Sequence, residues 1–211
     1  MKSKEELLEE KRNFFLIKVE KDKQLDYEEV FGNKNPVHAE IGSGKGEFLA
    51  AKALLNPEIN FIGFELKMKR IVKILKKLNI EDHPNVRIAN FYIDHNITEH
   101  IKPQSLDCIY IQHPDPWPKR RHHKHRLIQQ PFIDALAKML KENAEVRIAT
   151  DHDDYTKWIV KHFKERKDFS PKFENGFTLE PYEGHIVTYF ETIKRREGFE
   201  PKFMHYRKIS Y

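Results

Sequence analysis

The stretch "HAEIGSGKGEFLA", His38–Ala50, passes from an apolar run through three closely spaced glycines into a segment of helix formers. Gly42, Gly44 and Gly46 therefore sit where a first strand becomes a first helix. Glycine suits such a turn because the chain reverses tightly and a ligand must approach the backbone, while the free N–H groups of the helix start face the crevice beyond the strand ends. Outward from this point, short β-rich runs alternate with amphipathic segments. The order is "VHAEIG", a helix from about Gly46, "NFIGFEL", a helix through Leu78, "NVRIA", "SLDCIYIQ", a helix over Leu127–Leu140, "AEVRIAT" and a helix over Tyr155–Phe163. This alternation predicts right-handed βαβ units: an α/β fold with a mostly parallel, Rossmann-like sheet and helices on both faces. After Asp168 the pattern changes. "FSPKFENGFTLEP" and "HIVTYFETIKRREG" read as two strands without an intervening helix, so an antiparallel hairpin is expected at the C-terminal edge.

With 211 residues, 39% of them apolar and 12% aromatic, one sizeable core is affordable, and residues 35–211 are expected to form a single domain behind a polar helical arm and loop at 1–34. There is no run of 18 apolar residues, and the opening "MKSKEELLEEKRNFF" is charged where a secretory signal would be apolar; the expectation is a cytoplasmic protein with no membrane association. Cys108 is the single cysteine, so a buried thiol is expected rather than a disulfide or a cysteine-based zinc site. No protein partner is evident, and a monomer and a homodimer are equally compatible with the sequence. Lys and Arg exceed Asp and Glu by 38 − 33 = 5. The excess is concentrated in "KRRHHKHR", Lys119–Arg126, which has five Lys/Arg, three His and no carboxylate, as a surface that faces a polyanion would. The cations flanking His122, His123 and His125 argue against a metal site there.

Two carboxylates define the ligand expected at the glycine turn. "NFIGFEL" ends at Glu65, and 65 − 46 = 19 residues past the last glycine is the place for an acid that accepts hydrogen bonds from a ribose diol. The spacing G-x-G-x-G is one residue short of the dinucleotide fingerprint, and Glu40 ahead of it would repel a pyrophosphate. Both acids suit a cofactor carrying ammonium and sulfonium charge and no phosphate, which is S-adenosylmethionine rather than NAD. Beyond the strand Leu106–Gln112 comes "HPDPWPK", where three prolines take the chain stiffly out of the sheet.

Together, "EIGSGKGEF", "FIGFELK", "PDPWPKRRHHKHR", "ATD" and "VTYFE" resemble the bacterial tRNA (guanine-N7-)-methyltransferase family from about Pro36 to the end of the chain. The resemblance implies a class I S-adenosylmethionine-dependent methyltransferase with a seven-stranded sheet, acting on N7 of a guanosine in the variable loop of tRNA. It implies cofactor contacts from Glu40 and Glu65 beside Gly42 and Gly44, and a catalytic or cofactor-side carboxylate in Asp115. It further implies substrate contacts from Lys119, Asp151, Thr188, Tyr189, Phe190 and Glu191, and RNA contacts from Arg121, His122, His123, Lys124, His125 and Arg126. Near the third strand the candidate for the adenine is Asn90, closest to the strand end, with Asp94 as its competitor. Guanine N7 carries a lone pair and no proton, so the chemistry needs placement rather than a base, and a fixed carboxylate such as Asp115 would favour the charge arriving on the ring. Asp151 is either a reader of the guanine N1 and N2 donors or an N-cap of the following helix. Trp117 either stacks on a base or packs beneath its loop.

Overall fold

The computed structural model describes residues 2–20 and 23–210; Met1, Lys21, Asp22 and Tyr211, which fall within the expected arm and domain bounds, lie outside them. In chain order the elements are α1 (Lys4–Phe15), β1 (Leu16–Ile17), α2 (Tyr27–Phe31), β2 (Val37–Ile41), α3 (Glu47–Leu55), β3 (Asn60–Phe64), α4 (Met68–Lys77), β4 (Val86–Ala89), β5 (Leu106–Gln112), α5 (Gln130–Met139), β6 (Leu140–Thr150), α6 (Asp153–Lys164), β7 (Phe169–Pro171), α7 (Tyr189–Arg196) and β8 (Lys202–Lys208). Short 3-10 turns occupy His95–Glu99 and Arg120–His125.

The strands form one sheet in the order β1-β4-β3-β2-β5-β6-β8-β7. All pairings from β1 to β6 are parallel, and β8 runs antiparallel between β6 and β7. The strand order reverses between β2 and β3 on one side and β5 on the other, which opens a crevice at the carboxyl ends of β2 and β5. Both faces of the central strands are covered, so their sequences are nearly continuous apolar runs. Val37, Ala39, Ile41, Ile109 and Ile111 pack under Phe132, Ile133 and Leu136 of α5 and Tyr155 and Ile159 of α6. Phe61, Ile88, Cys108 and Tyr110 pack on the other face under Phe48 and Leu49 of α3, Ile71 and Ile74 of α4 and Phe15 of α1.

Three features depart from the expected architecture. The sheet has eight strands rather than seven, because Leu16 and Ile17 pair with Ile88 and Ala89 at its edge. A two-residue strand leaves no periodicity in a sequence. The described residues of the helical arm and loop expected ahead of the core also take part in it: Phe15, Leu25 and Tyr27 are buried in the two core clusters. Finally, the C-terminal antiparallel pair exists, but its second strand is β8, "KFMHYRK", and not "HIVTYFETIKRREG". That segment carries α7. The Thr188 hydroxyl accepts from the Glu191 N–H at the helix start, and Lys194, Arg195 and Arg196 complement the dipole at its end, local signals that outweigh the β-favouring run Ile186–Phe190. Among the described residues no helix is long and apolar enough to cross a membrane.

Candidate active site at the carboxyl ends of β2, β5 and β6

The turn between β2 and α3 is built from backbone. The N–H groups of Gly42 and Ser43 both donate to the Phe64 carbonyl at the end of β3, 3.0 Å each. Gly42 and Gly44 have φ of +77° and +56°, and a Cβ on Gly42 would meet nothing within 4 Å, so the strain-free glycine conformation borders open space. Gly46 is required for packing instead: its φ is +74° and a Cβ would lie 2.7 Å from Ile74.

Glu65 is 4% exposed and braces this turn. Its Oε2 accepts from the Gly44 N–H at 2.9 Å and its Oε1 from the Lys67 N–H at 2.8 Å, with Arg70 at 3.5 Å. Glu40 is 2% exposed and its Oε2 has no hydrogen-bond partner among the described residues. Burial, reinforced by the neighbouring Glu65 charge and opposed by Ser43, pushes the Glu40 carboxyl up to about 8. An orphaned buried acid beside open space at a strand end fits a ligand that brings cationic charge or hydroxyl donors, and not a phosphate. Asn90 spends its amide N–H groups on the Glu65 and Leu66 carbonyls at 2.9 and 2.8 Å, which ties the end of β4 to the loop carrying Glu65. Its competitor Asp94 caps the 3-10 turn instead, accepting from the Asn96 N–H at 2.8 Å.

Beyond β5 the chain is held in an uncommon conformation. His113 and Trp117, which flank Pro114-Asp115-Pro116, have φ of +49° and +43°, costly for side chains with a Cβ. Asp115 lies exposed between them, and no hydrogen bond or salt bridge among the described residues occupies its carboxylate. The loop is fastened from below by Arg126, whose side chain is fully buried. Arg126 Nε donates to the Pro116 carbonyl at 2.8 Å and Nη2 to Asp154 at 2.5 Å, and its guanidinium lies over the Tyr155 and Trp158 rings at 5.1 and 4.9 Å. Arg126, expected among the RNA contacts, is buried in this structure: its guanidinium, held through Nε and Nη2 and with Nη1 unpartnered among the described residues, is a buckle for the Asp115 loop. His123 turns the same way, with its ring 5.4 Å from Trp158 and Nε2 3.8 Å from Asp154. Lys119, Arg121, Lys124 and His125 remain exposed, and His122 is half-buried. Trp117 packs against the rings of His122 and His125 at 5.9 and 5.2 Å and keeps 37% of its surface exposed.

The remaining expected substrate residues come together across the crevice, though not as a strand. Thr188 caps α7; Tyr189 donates its N–H to Glu47 at 2.7 Å and receives Lys45 over its ring, which docks α7 beside the glycine turn. Phe190 lies 5.0 Å from the His113 ring. Glu191 is fully buried, with Oε2 2.7 Å from His185 and Oε1 2.8 Å from Arg195. Asp151 does not cap α6, since His152 does, its Nδ1 accepting from the Tyr155 N–H; Asp151 Oδ1 is instead 3.2 Å from His113 Nδ1. Burial alone would raise both acids. The hydrogen bond from His113 to Asp151, and for Glu191 the nearby His113 together with hydrogen bonds from His185 and Arg195, overcome it and hold both below the usual carboxylate range. His185, Arg195 and Glu47 are missing from the sequence reading. Only Glu47 had a local signal, directly after the third glycine.

Residues 34–200 match a family described as "Putative methyltransferase". Two relatives named tRNA (guanine-N(7)-)-methyltransferase are 33% identical over 171 residues (Streptococcus equi subsp. zooepidemicus; 81% of this chain, 80% of the relative) and 31% identical over 198 residues (Streptococcus uberis; 93% and 92%). Among solved structures, an rRNA methylase from Streptococcus thermophilus superposes with a TM-score of 0.56 at 11% identity, covering 84% of this chain and 89% of that one. A 16S rRNA (adenine(1408)-N(1))-methyltransferase from Catenulisporales acidiphilia superposes at 0.58 and 10% identity, covering 88% and 92%. These structures share the class I methyltransferase fold. With a family match over most of its length and named relatives above 30% identity along nine-tenths of it, the chain belongs to the tRNA (guanine-N7-)-methyltransferase family.

Proposed function

We propose that the protein transfers a methyl group from S-adenosylmethionine to N7 of a guanosine in the variable loop of tRNA, in the cytoplasm. The observation that carries the reading is the juxtaposition of two acids at adjacent strand ends. Glu40 is buried with its Oε2 unpartnered beside the glycine turn of β2, and Asp115 is uncommitted on a proline-stiffened loop after β5, the strand paired with β2.

Glu40, Glu65, Gly42 and Gly44 would hold the donor, with Asn90 beside its adenine. When bound, S-adenosylmethionine supplies a methyl carbon made electrophilic by the sulfonium. The N7–methyl bond would form as the sulfur–methyl bond breaks, so positive charge would leave sulfur and arrive on the imidazole ring of the base. No proton moves. Asp115 faces that arriving charge, and because His113, Pro114, Pro116 and Trp117 already fix its backbone, little reorganisation accompanies the step. Asp151, at the end of β6, offers Oδ2 to the N1 and N2 donors of guanine, while Lys119, Arg121 and Lys124 meet the surrounding phosphates.

The test is incubation of the protein with methyl-labelled S-adenosylmethionine and unmodified tRNA, followed by chain cleavage at N7-methylguanosine. Label at a variable-loop guanosine is expected. Label on an exocyclic nitrogen, or on protein alone, would overturn the reading.

A further inference from the structure

His113 is a buried titratable group for which the chemistry above has no use. Its side chain is 6% exposed at the end of β5, one residue before Pro114, where an apolar side chain would fill the same space without losing hydration. It stands in a row of four titratable groups drawn from four segments: Asp151 after β6, His113 after β5, Glu191 in α7, and His185 in the loop before it. Nδ1 of His113 is 3.2 Å from Asp151 Oδ1. Nε2 lies 4.0 Å from Glu191 Oε2, beyond hydrogen-bond distance, and has no hydrogen-bond partner among the described residues. The other oxygen contacts of Glu191 are His185 at 2.7 Å and Arg195 at 2.8 Å, and Lys194 contributes its field at Asp151. Phe190 closes the remaining side of the ring.

A neutral imidazole has one donor, so between two carboxylates its second nitrogen would present a lone pair to an oxygen. An imidazolium donates to Asp151 through Nδ1 and turns its second N–H, rather than a lone pair, toward Glu191. Burial works against that charge, yet the two acids outweigh it and raise the His113 pKa above its ordinary value.

We propose that His113 is a positioning residue: as an imidazolium it pins Asp151 by Oδ1 so that Oδ2 faces the Watson–Crick edge of the target guanine, with Glu191, His185 and Arg195 serving as its anchor. The inference rests on the guanine-N7 reading and assigns Glu191 a supporting place, since its oxygens are already engaged. It also joins substrate reading to catalysis, because the same residue begins the loop that carries Asp115 and contacts α7 through Phe190.

The test compares wild type with His113→Gln and Asp151→Asn across the pH range. In wild type, kcat/KM for tRNA falls as pH rises through the His113 pKa. In His113→Gln this limb disappears and kcat/KM at neutral pH drops about a hundredfold, as a misplaced substrate group commonly costs. Affinity for S-adenosylhomocysteine stays within about twofold, since the donor pocket is untouched. In parallel, the His113 imidazole in free wild-type protein is titrated by NMR. A midpoint above the ordinary histidine value of about 6.5, falling in Asp151→Asn, is expected. A retained limb with unreduced kcat/KM in folded His113→Gln, or a midpoint at or below the ordinary value, overturns the proposal. The NMR titration judges the charge even if His113→Gln fails to fold. If wild type methylates no guanine N7, the functional reading fails separately while the titration still decides the state of His113.

Discussion

The proposed donor side and the proposed base side of the crevice are built by different means. On the proposed donor side, backbone groups within one strand–helix–strand unit, β2-α3-β3 and the loop after it, do the work: a glycine turn, two N–H bonds to one carbonyl, and a carboxylate pinned by the N–H groups of Gly44 and Lys67. On the proposed base side, side chains from β5, β6, α7 and the loop before it hold one another through His113, Asp151, Glu191, His185 and Arg195. The first arrangement belongs to a single βαβ unit with a regular spacing. The second exists only once several separate units have met.

The largest effect expected of a single substitution separates the two sides. Asp115→Ala removes a preorganised charge from the base side and should lower single-turnover transfer by about a hundredfold or more, equivalent to about 3 kcal/mol, with S-adenosylhomocysteine affinity little changed by calorimetry. Glu65→Ala, on the donor side, should do the reverse and weaken the cofactor first. Equal loss of cofactor affinity in both would erase the division.

Next in size is the buckle. Arg126→Met keeps the apolar stem but deletes the hydrogen bonds to Pro116 and Asp154, so a loss of about 1–3 kcal/mol in thermal or urea unfolding is expected, together with slower transfer as the Asp115 loop loosens. Arg121→Glu, five positions earlier in the same basic run, should leave stability unchanged. If the two substitutions behaved alike, the separation of the run into a buried anchor and an exposed surface would be wrong.

The same contrast explains what could be read in advance. The glycine turn, Glu65 and the Pro-Asp-Pro-Trp loop announce themselves because the residues that need one another are adjacent or lie at a regular spacing within one βαβ unit. The inward turn of Arg126 was illegible, since its partner Asp154 lies 28 residues away and nothing within "KRRHHKHR" marks one cation as buried. His113 and Asp151 are 38 residues apart and meet for the same reason. The segment of α7 differs again: Thr188 and Glu191 form a capping pattern within the sequence, but they sit in a run of β-favouring residues, Ile186–Phe190, that reads as a strand.

Glu40 offers a finer measure of the donor side. Its carboxyl titrates near 8 in the folded protein against 4.5 as its ordinary value, so the folded state holds a proton that the unfolded state has lost at neutral pH. Stability attributable to this group is therefore present at low pH and declines as pH rises from about 4.5 towards 8. Glu40→Gln, which cannot ionise, should raise the melting temperature of the free protein at pH about 8 relative to wild type and have little effect at pH about 5. The same substitution should weaken binding of the cationic donor, and wild-type affinity should rise with pH where Glu40→Gln is flat.

The smallest effect belongs to the exposed cations, whose action is spread over many contacts. Each of Lys119, Arg121 and Lys124 that meets a phosphate releases counterions on binding, so replacing one with a neutral residue should reduce the slope of log affinity against log salt by about 0.7 and weaken tRNA binding only modestly near physiological salt. Measured by filter binding at several salt concentrations, a smaller slope for Arg121→Gln at unchanged melting temperature places this surface against RNA. An unchanged slope would leave the base side to be recognised through Asp151, Asp115 and α7 alone. The phosphate term would then have to come from another face of the molecule.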